Sequence, residues 1–266
     1  MSTTRSAVLA TVERSPAAAG AHDRTGWVGL FTGDATIEDP VGSRPHVGRA
    51  EIERFYDTFI GPRDITFDRA IDIVHGRTVL RDLTLTVRMG AVVTLRIPAI
   101  LRYDVAGGST DELRIASLQA FWELPAMAWR FARNGPAAVP ASLRLTRALL
   151  ANQGVAGAAG FVSGVVGVGA RGKRLVAQLV DDACAGNEVA VKRSLGAAEI
   201  SSGDDERLKP TELVAALAGA RRRTTLAAGQ HVALSVTGPA GDAVLIADVA
   251  ARPGRVQRLR LFVDQA

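Results

Sequence analysis

An aspartate stands directly before a proline and close to a glycine in the segment DATIEDPVGS, which covers residues 34–43. In this segment Asp39 precedes Pro40, and Gly42 follows two residues after the proline. Proline and glycine limit the conformations of such a turn, so a carboxylate placed there is held in a restricted position. A carboxylate on a rigid turn can act as a general base, and the alternative is an acidic loop residue without a chemical role.

An amphipathic helix is predicted directly after this turn, from about Arg49 to Ile60. Its apolar residues recur at steps of three and four, which marks one buried face of a helix. These residues are Ile52, Phe55, Tyr56 and Phe59. The turn that carries Asp39 therefore lies shortly before the start of this helix.

The composition describes a globular chain and excludes some classes of function. Of the 266 residues, 47% are apolar, which is enough for a packed core. The net charge is +5, but the basic residues are mostly scattered arginines, and the short cluster Arg221–Arg223 contains no aromatic residue. A nucleic-acid-binding surface normally needs a broad basic face or a known motif, so we expect no nucleic-acid partner.

Cysteine and histidine are too few and too scattered to predict a metal site. Cys184 is the only cysteine, so the chain has no internal disulfide, and the four histidines lack the spacing of metal ligands. We therefore expect no metal ion. The apolar run Ala7–Val12 is too short and too close to charged residues for a signal peptide, so a cytoplasmic protein is expected.

The chain is predicted to contain two related α+β units joined by a connector. Residues 1–123 place helices before strands, and residues 174–266 repeat this order, so the second unit is interpreted as a degenerate internal copy. Residues 124–173 form a helical connector rich in glycine and alanine. The strands predicted in the first unit are Thr78–Val87, Val92–Tyr103 and Leu113–Trp122. The second unit is predicted to contain helices Arg174–Leu195 and Thr211–Ala220 and strands Thr225–Val236, Ala243–Ala250 and Arg255–Val263.

The connector contains an uncharged stretch from Ala148 to Ala170 that is long enough to cross a bilayer. Its many glycines make it only weakly apolar, and glycines at such spacings also let helices pack closely in soluble proteins. A packed connector is therefore the favoured interpretation, and membrane contact is the alternative.

The segment DATIEDPVGSRPHVGRAEIERFY resembles the active-site segment of the Δ5-3-ketosteroid isomerases, in the SnoaL-like family of the NTF2-like superfamily. The runs RYD at 102–104 and LQAFWE at 118–123 resemble the last strands of the same fold, and the resemblance covers about residues 20–123. It implies an α+β cone in which a curved antiparallel sheet and helices enclose a pocket. The two tandem copies would form an internal pseudo-dimer, and a homodimer is a further alternative.

The resemblance implies that Asp39 is a general base that moves a proton between two carbons beside a ketone. Removing a carbon-bound proton creates an enolate, and its oxygen must be stabilised by hydrogen-bond donors. In the family these donors are a tyrosine and a protonated aspartate. Ser15 and Ala99 stand at the aligned positions of this sequence, so an altered oxyanion hole is expected.

A substitute donor is suggested by the alternation of side chains along Arg81–Val87. Alternation puts Asp82 on one face with Thr84 and Thr86, and the gapless alignment makes this the face that lines the family's pocket. A carboxyl buried in an apolar cavity can stay protonated and donate a hydrogen bond. The alternative is a structural ion pair between Asp82 and Arg81, Arg88 or Arg96. The opposite face, which carries Leu83, would then be covered by the second copy.

The other candidate site residues follow from the same resemblance. Tyr56 aligns with a tyrosine of the hydrogen-bond network behind the oxyanion site. The second copy has Ser201 and Ser202 near the position of Asp39, so no second active site is expected. The residues expected around a flat hydrophobic ligand, for which simple core packing is the alternative, are Phe31, Ile97, Ala99, Leu101 and Trp122.

The sequence leaves three functions open. The first is a cofactor-independent isomerase that acts on a steroid-like or polycyclic ketone. The second is a non-catalytic module of the same fold that binds a hydrophobic small molecule, which the missing donors at Ser15 and Ala99 favour. The third is an assembly or membrane-associated protein, which only the uncharged connector supports.

Overall fold

The computed structural model describes most of the chain in two blocks on either side of the connector. The described residues are 4–89, 93–108, 113–133, 135, 143, 147, 151–152, 167–250 and 254–264. Most of the uncharged stretch from Ala148 to Ala170 lies outside them. Within the described part of the chain, no helix is both long and apolar enough to span a membrane.

The first unit combines helices with a six-stranded sheet. Its helices are α1 (Arg5–Gly20), α2 (Arg24–Gly29), α3 (Arg49–Phe55) and α4 (Leu124–Ala132), and α3 continues into a π-helical turn at Tyr56–Ile60. Its strands are β1 (Phe31–Glu38), β2 (His46–Val47), β3 (Asp64–His75), β4 (Thr78–Met89), β5 (Val93–Ala106) and β6 (Arg114–Phe121).

Polar side chains begin the two N-terminal helices of this unit. The hydroxyl of Thr4 accepts a hydrogen bond from the backbone N–H of Ala7, and the Asp23 carboxylate accepts one from Gly26 at 2.8 Å. Such caps satisfy backbone groups that have no partner inside the helix. Helix α1 continues to Gly20, and its buried face carries Ser15 towards the sheet.

The second unit also combines helices with a six-stranded sheet. Its helices are α5 (Gly169–Cys184), α6 (Glu188–Leu195) and α7 (Pro210–Leu217). Its strands are β7 (Glu199–Ser202), β8 (Glu206–Arg207), β9 (Arg221–Ala228), β10 (His231–Gly238), β11 (Gly241–Ala250) and β12 (Arg255–Val263). The predicted helix Arg174–Leu195 is therefore two helices, and the predicted strand Thr225–Val236 is parts of two strands.

The two sheets have the same topology. The strand order is β2-β1-β6-β5-β4-β3 in the first sheet and β8-β7-β12-β11-β10-β9 in the second, so each strand has a counterpart six positions later in the chain. Strand β1 runs parallel to β6 in the first sheet, and β7 runs parallel to β12 in the second. The other neighbouring strands, such as β4 and β5 or β11 and β12, are antiparallel. The prediction of an α+β chain with two tandem copies is confirmed.

Each sheet has one face covered by its own helices and one face covered by the other sheet. The inner faces and the helices form two separate apolar cores. The outer faces pack against each other in a third core, which makes the chain an internal pseudo-dimer. The larger side chains of this third core are Ile71, Ile73, Leu80, Ile100 and Phe121 from the first unit and Leu226, Val244, Ile246 and Phe262 from the second.

Ion pairs also join the two units. Arg102 contacts Asp204 at 2.6 Å, and Arg5 contacts Asp264 at 2.6 Å. The Arg102 side chain is only 8% exposed, so this pair is largely shielded from water. We propose that the chain is divided into a first unit at residues 1–123, a connector at 124–173 and a second unit at 174–266. The first sheet ends at Phe121, just before the first boundary, and the first helix of the second unit begins at Gly169, close to the second boundary.

Candidate active site

A cavity of the first unit lies between the inner face of its sheet and helices α1 to α4. Most of its wall is apolar, and the described lining residues with polar side-chain groups include Ser15, Asp39, Arg63 and Tyr103. No group of three or more histidine, cysteine or acidic side chains among the described residues is arranged to hold a metal ion. The apolar wall includes Trp27 from α2, Phe55 from α3, Leu85 from β4, Ile97 and Leu101 from β5, and Met127 from α4.

The cavity contains the carboxyl group of Asp39, which follows β1 directly. Strand β1 runs parallel to β6, pairs Glu38 with Gln119, and so brings Asp39 close to the end of β6. Just beyond that end, Trp122 donates a hydrogen bond from its indole Nε1 to Asp39 Oδ1 at 2.5 Å. The parallel strand pair therefore places the acid and the indole side by side.

Contacts with both units fix the conformation of the turn that carries Asp39. The backbone N–H of Gly42 donates a hydrogen bond to the Glu38 carboxylate at 2.8 Å. Gly42 has a φ of +92°, and a Cβ atom there would lie 2.5 Å from the Cα of Gly229 in the second unit. The backbone conformation and the contact between the units therefore both require glycine at position 42.

Burial raises the pKa of Asp39 to about 6. One side of the carboxyl group is open to the cavity, but protein atoms surround the rest, and this environment disfavours the charged form. The hydrogen bond from Trp122 lowers the pKa because it stabilises the carboxylate. An acid with this pKa is mostly ionised at neutral pH and is more basic than an exposed aspartate, as a general base should be.

Two hydroxyl groups, those of Tyr103 and Ser15, also belong to the cavity wall. Burial raises the pKa of Tyr103, and the carboxylates of Asp39 and Asp72 add to the rise, whereas the positive charge of Arg81 and the Ser15 side chain oppose it. The phenol therefore stays protonated at neutral pH and can donate a hydrogen bond to a ligand. The sequence analysis missed Tyr103, although strand alternation puts it on the same face as Leu101.

The structure corrects the predicted position of Asp82. Its carboxylate lies on the outer face of β4, where Ser235 and Thr224 of the second unit donate hydrogen bonds to it at 2.5 and 2.8 Å. Arg223 of the second unit is 3.8 Å from the same carboxylate, so the arginine beside Asp82 is none of the three expected from the sequence. Asp82 joins the two sheets and has no access to the cavity.

The register of β4 with β5 explains this correction. Leu85 and Ile97 are directly opposite each other and both line the cavity, whereas Asp82 is opposite Ile100, which packs in the core between the sheets. Opposite residues of an antiparallel pair share a face, so Asp82 faces the other sheet. The face with Leu83, Leu85 and Val87, which was expected to be covered by the second copy, points inward.

Three of the expected site residues are buried beside the cavity but do not line it. The Tyr56 ring lies 5.5 Å from the Trp27 ring, and its hydroxyl has no hydrogen-bond partner among the described residues. Phe31 packs 4.7 Å from Trp27, and Ala99 is fully buried in the same core. These three residues pack in the core, whereas Ile97, Leu101 and Trp122 do line the cavity.

The second unit has no counterpart of the acid. Strand β7 corresponds to β1, and β7 ends at Ser202, so Gly203 occupies the place of Asp39. The following residue, Asp204, is half-buried and forms an ion pair with Arg102 of the first unit. The described part of the second unit therefore does not repeat the acid and indole pair.

The comparisons with known proteins identify the family of the first unit. A family model described as SnoaL-like domain matches residues 12–112. A steroid Δ-isomerase from Nocardioides simplex is 31% identical over 93 residues, which are 35% of this chain and 71% of that protein. The chain belongs to the ketosteroid isomerase and SnoaL-like family of the NTF2-like superfamily. The predicted NTF2-like fold is therefore confirmed.

Solved structures of NTF2-like proteins superpose on about half of the chain. The Δ5-3-ketosteroid isomerase from Mycobacterium sp. is 23% identical with a TM-score of 0.42, and the match covers 46% of this chain and 96% of that one. A Mycobacterium tuberculosis protein in complex with estradiol-17β-hemisuccinate is 23% identical with a TM-score of 0.41, covering 45% and 95%. The family assignment rests on the sequence relative, because these TM-scores are low.

Proposed function

We propose that this NTF2-like chain is a cofactor-independent isomerase of a flat, steroid-like or polycyclic ketone. The observation that carries the proposal is Asp39, the one carboxylate among the described lining residues, which is hydrogen-bonded to Trp122 inside an apolar cavity. An apolar cavity with a few polar groups is suited to a hydrophobic small molecule. The similarity to a protein named steroid Δ-isomerase supports the same class of substrate.

The proposed reaction moves one proton within the substrate. The Asp39 carboxylate removes a proton from the carbon between the ketone and the carbon–carbon double bond, and the electrons of the broken C–H bond shift onto the ketone oxygen. The resulting dienolate takes the proton back from Asp39 at the far carbon of the former double bond. The double bond then lies next to the ketone, and the carboxylate is free for another turnover.

The dienolate oxygen needs a donor during this reaction, and we assign that role to Tyr103. Its side chain lines the same cavity as the side chains of Asp39 and Ser15. Donors that are already in position, in a site that excludes water, stabilise a developing oxyanion strongly. Ile97, Leu101 and the face of Trp122 would hold the flat hydrocarbon so that its ketone end lies between Asp39 and Tyr103.

The second candidate function is a module that binds a hydrophobic ligand without turning it over. It is favoured by Ala99, which stands where the family places a protonated aspartate and offers no donor. Tyr103 and Ser15 supply hydroxyl groups only, and these are weaker acids than a carboxyl group. The two functions differ in whether the carboxylate of Asp39 transfers a proton.

An ultraviolet assay distinguishes these two functions. Conversion of a 5-ene-3-ketosteroid to its conjugated 4-ene isomer is followed by absorbance, and binding of the 4-ene product is measured separately. Turnover by the wild type that is lost in Asp39→Asn, with product binding retained, supports the isomerase. Steroid binding without turnover in either protein would contradict it and support the binding module.

A further inference from the structure

A buried arginine, Arg63, lines the same cavity as Asp39. It directly precedes β3, and its residue surface is only 9% exposed. Its guanidinium donates one hydrogen bond, from Nη1 to the backbone carbonyl of Thr58 at 2.6 Å, and lies 5.9 Å from the centre of the Phe59 ring. The other N–H groups of the guanidinium have no partner among the described residues.

The other buried arginines in the described part of the chain are paired with acids. Arg81 contacts Glu13 and Asp72, and Arg102 contacts two aspartates. Arg63 has no carboxylate within 4.0 Å among the described residues. A buried charge without a counterion is costly, and burial accordingly lowers the pKa of Arg63. A cation kept at this cost and facing a cavity is suited to an anion that comes with the ligand.

Arg63 and Asp39 lie toward opposite edges of the sheet. Asp39 follows β1 and Arg63 precedes β3, and β6, β5 and β4 lie between these two strands. Four strand spacings amount to about 19 Å along the sheet, and the distance across a curved sheet is shorter. Neither charge shifts the pKa of the other, which agrees with this separation. The two groups can therefore contact opposite ends of one ligand.

We infer that the cavity binds a keto acid, in which a flat apolar body carries its ketone near Asp39 and a carboxylate at Arg63. The planar guanidinium can hold a carboxylate through two parallel hydrogen bonds while Nη1 keeps its bond to Thr58. The inference relies on the proposed function only for the ketone at the other end. The competing explanation is that Arg63 merely caps the C-terminal end of the helix at Thr58.

The test compares two ligands that differ only in charge. One is a 3-keto-4-ene steroid with a carboxylate at carbon 17, and the other is the methyl ester of the same steroid. Binding to the wild type and to Asp39→Asn is measured by calorimetry, so no turnover is needed. We expect the acid to bind roughly 10 to 100 times more tightly than the ester, because a hydrogen bond to a charged group is strong when it is shielded from water.

Variants of the arginine locate the source of this preference. Arg63→Gln should bring the ratio of ester and acid dissociation constants close to one, and Arg63→Lys, which keeps the charge and a donor for Thr58, should give an intermediate ratio. Arg88→Gln is the matched control, because Arg88 is an exposed arginine on β4 and should leave the ratio unchanged.

The outcomes separate this inference from the proposed function. The role of Arg63 would be overturned if the wild type bound the acid and the ester equally well or did not bind the acid. It would also be overturned if the preference for the acid survived in Arg63→Gln. Each of these results would count against Arg63 even if isomerase turnover is present. A preference for the acid that depends on Arg63, in a protein without turnover, would support the keto acid site and contradict only the isomerase.

Discussion

The indole Nε1 of Trp122 and the carboxylate Oδ1 of Asp39 are 2.5 Å apart, and their hydrogen bond joins the end of β6 to the turn after β1. Trp122 is therefore a wall of the cavity and a partner of the proposed base. Burial raises the pKa of Asp39, and this hydrogen bond limits the rise. The reactivity of the carboxylate thus depends on the balance between an apolar environment and one donor.

Removing the donor should make Asp39 a weaker acid. In Trp122→Phe the carboxylate loses a hydrogen bond to its charged form, so its pKa should rise above the present value of about 6. The midpoint of the pH dependence of kcat should move upward by about one to two units, since such bonds contribute about 1.5–3 kcal/mol. Trp129→Phe is the control, because Trp129 is 68% exposed. An unchanged midpoint in Trp122→Phe would show that the bond has no influence on the base.

Asp39 should also make the stability of the protein depend on pH. Its folded-state pKa of about 6 lies above the usual value of 3.8, so the folded protein binds this proton more tightly than the unfolded chain. The corresponding stabilisation is present below pH 3.8 and is lost as the pH rises through about 6. Asp39→Asn should therefore be more stable than the wild type at pH 8, by at most about 3 kcal/mol, and this advantage should shrink towards pH 4. Urea unfolding at both pH values measures the difference, and a pH-independent difference would contradict the assigned pKa.

Two tyrosines provide a matched test of the oxyanion donor. Tyr103→Phe should lower kcat roughly 100-fold with little effect on KM, because the hydroxyl is needed mainly when the oxygen becomes negative. Tyr56→Phe should leave kcat unchanged, since the Tyr56 hydroxyl has no partner among the described residues and does not face the cavity. Equal kcat values for the wild type and Tyr103→Phe would exclude Tyr103 as the donor.

Replacing Asp82 should lower the stability of the protein and leave its catalytic rate unchanged. Asp82→Ala removes the acceptor for Ser235 and Thr224 between the two sheets, so the free energy of unfolding should fall by about 1–3 kcal/mol while kcat is retained. Asp68→Ala is the control, because the Asp68 side chain is 77% exposed. A folded Asp82→Ala protein without turnover would instead point to a catalytic role for Asp82.

The sequence was most informative where local chemistry and the family motif coincide. The DATIEDPVGS segment led to Asp39, and the predicted helix after it exists, although its last turn is π-helical. The internal copy was visible from the order of helices and strands alone. The catalytic roles of these residues remain predictions, because the fold and the family do not establish that Asp39 transfers a proton.

The face of β4 could not be predicted from its own residues. Both faces of this strand are buried, since Leu83 packs inside the first unit and Leu80 packs against the second sheet. A strand that is buried on both faces shows no clear alternation of apolar and polar residues, so periodicity does not indicate which side faces the cavity. Buried Arg81 and Asp82 are adjacent, and each has partners on its own side of the sheet. Only the pairing with β5, in which Leu85 lies opposite Ile97, shows which face of β4 lines the cavity.

Strands β1 and β3 were missed for a related reason. Strand β1 contains Gly33 and Asp34, which are exposed and interrupt its alternation, and its pairing with β6 shifts register within the same part of the strand. Strand β3 begins with a mostly exposed half, and only its second half, around Ile71 and Ile73, enters the core between the sheets. Tertiary contacts, and not local propensity, define both strands.

The most direct test of the account is kcat/KM as a function of pH for the wild type and Asp39→Asn. The wild-type value should rise with pH through a single ionisation near 6 and then stay constant. Asp39→Asn should be slower by roughly 10² to 10⁴-fold and should lack this ionisation. An Asp39→Asn protein with wild-type activity, or with the same ionisation near pH 6, would contradict the claim that the Asp39 carboxylate is the base.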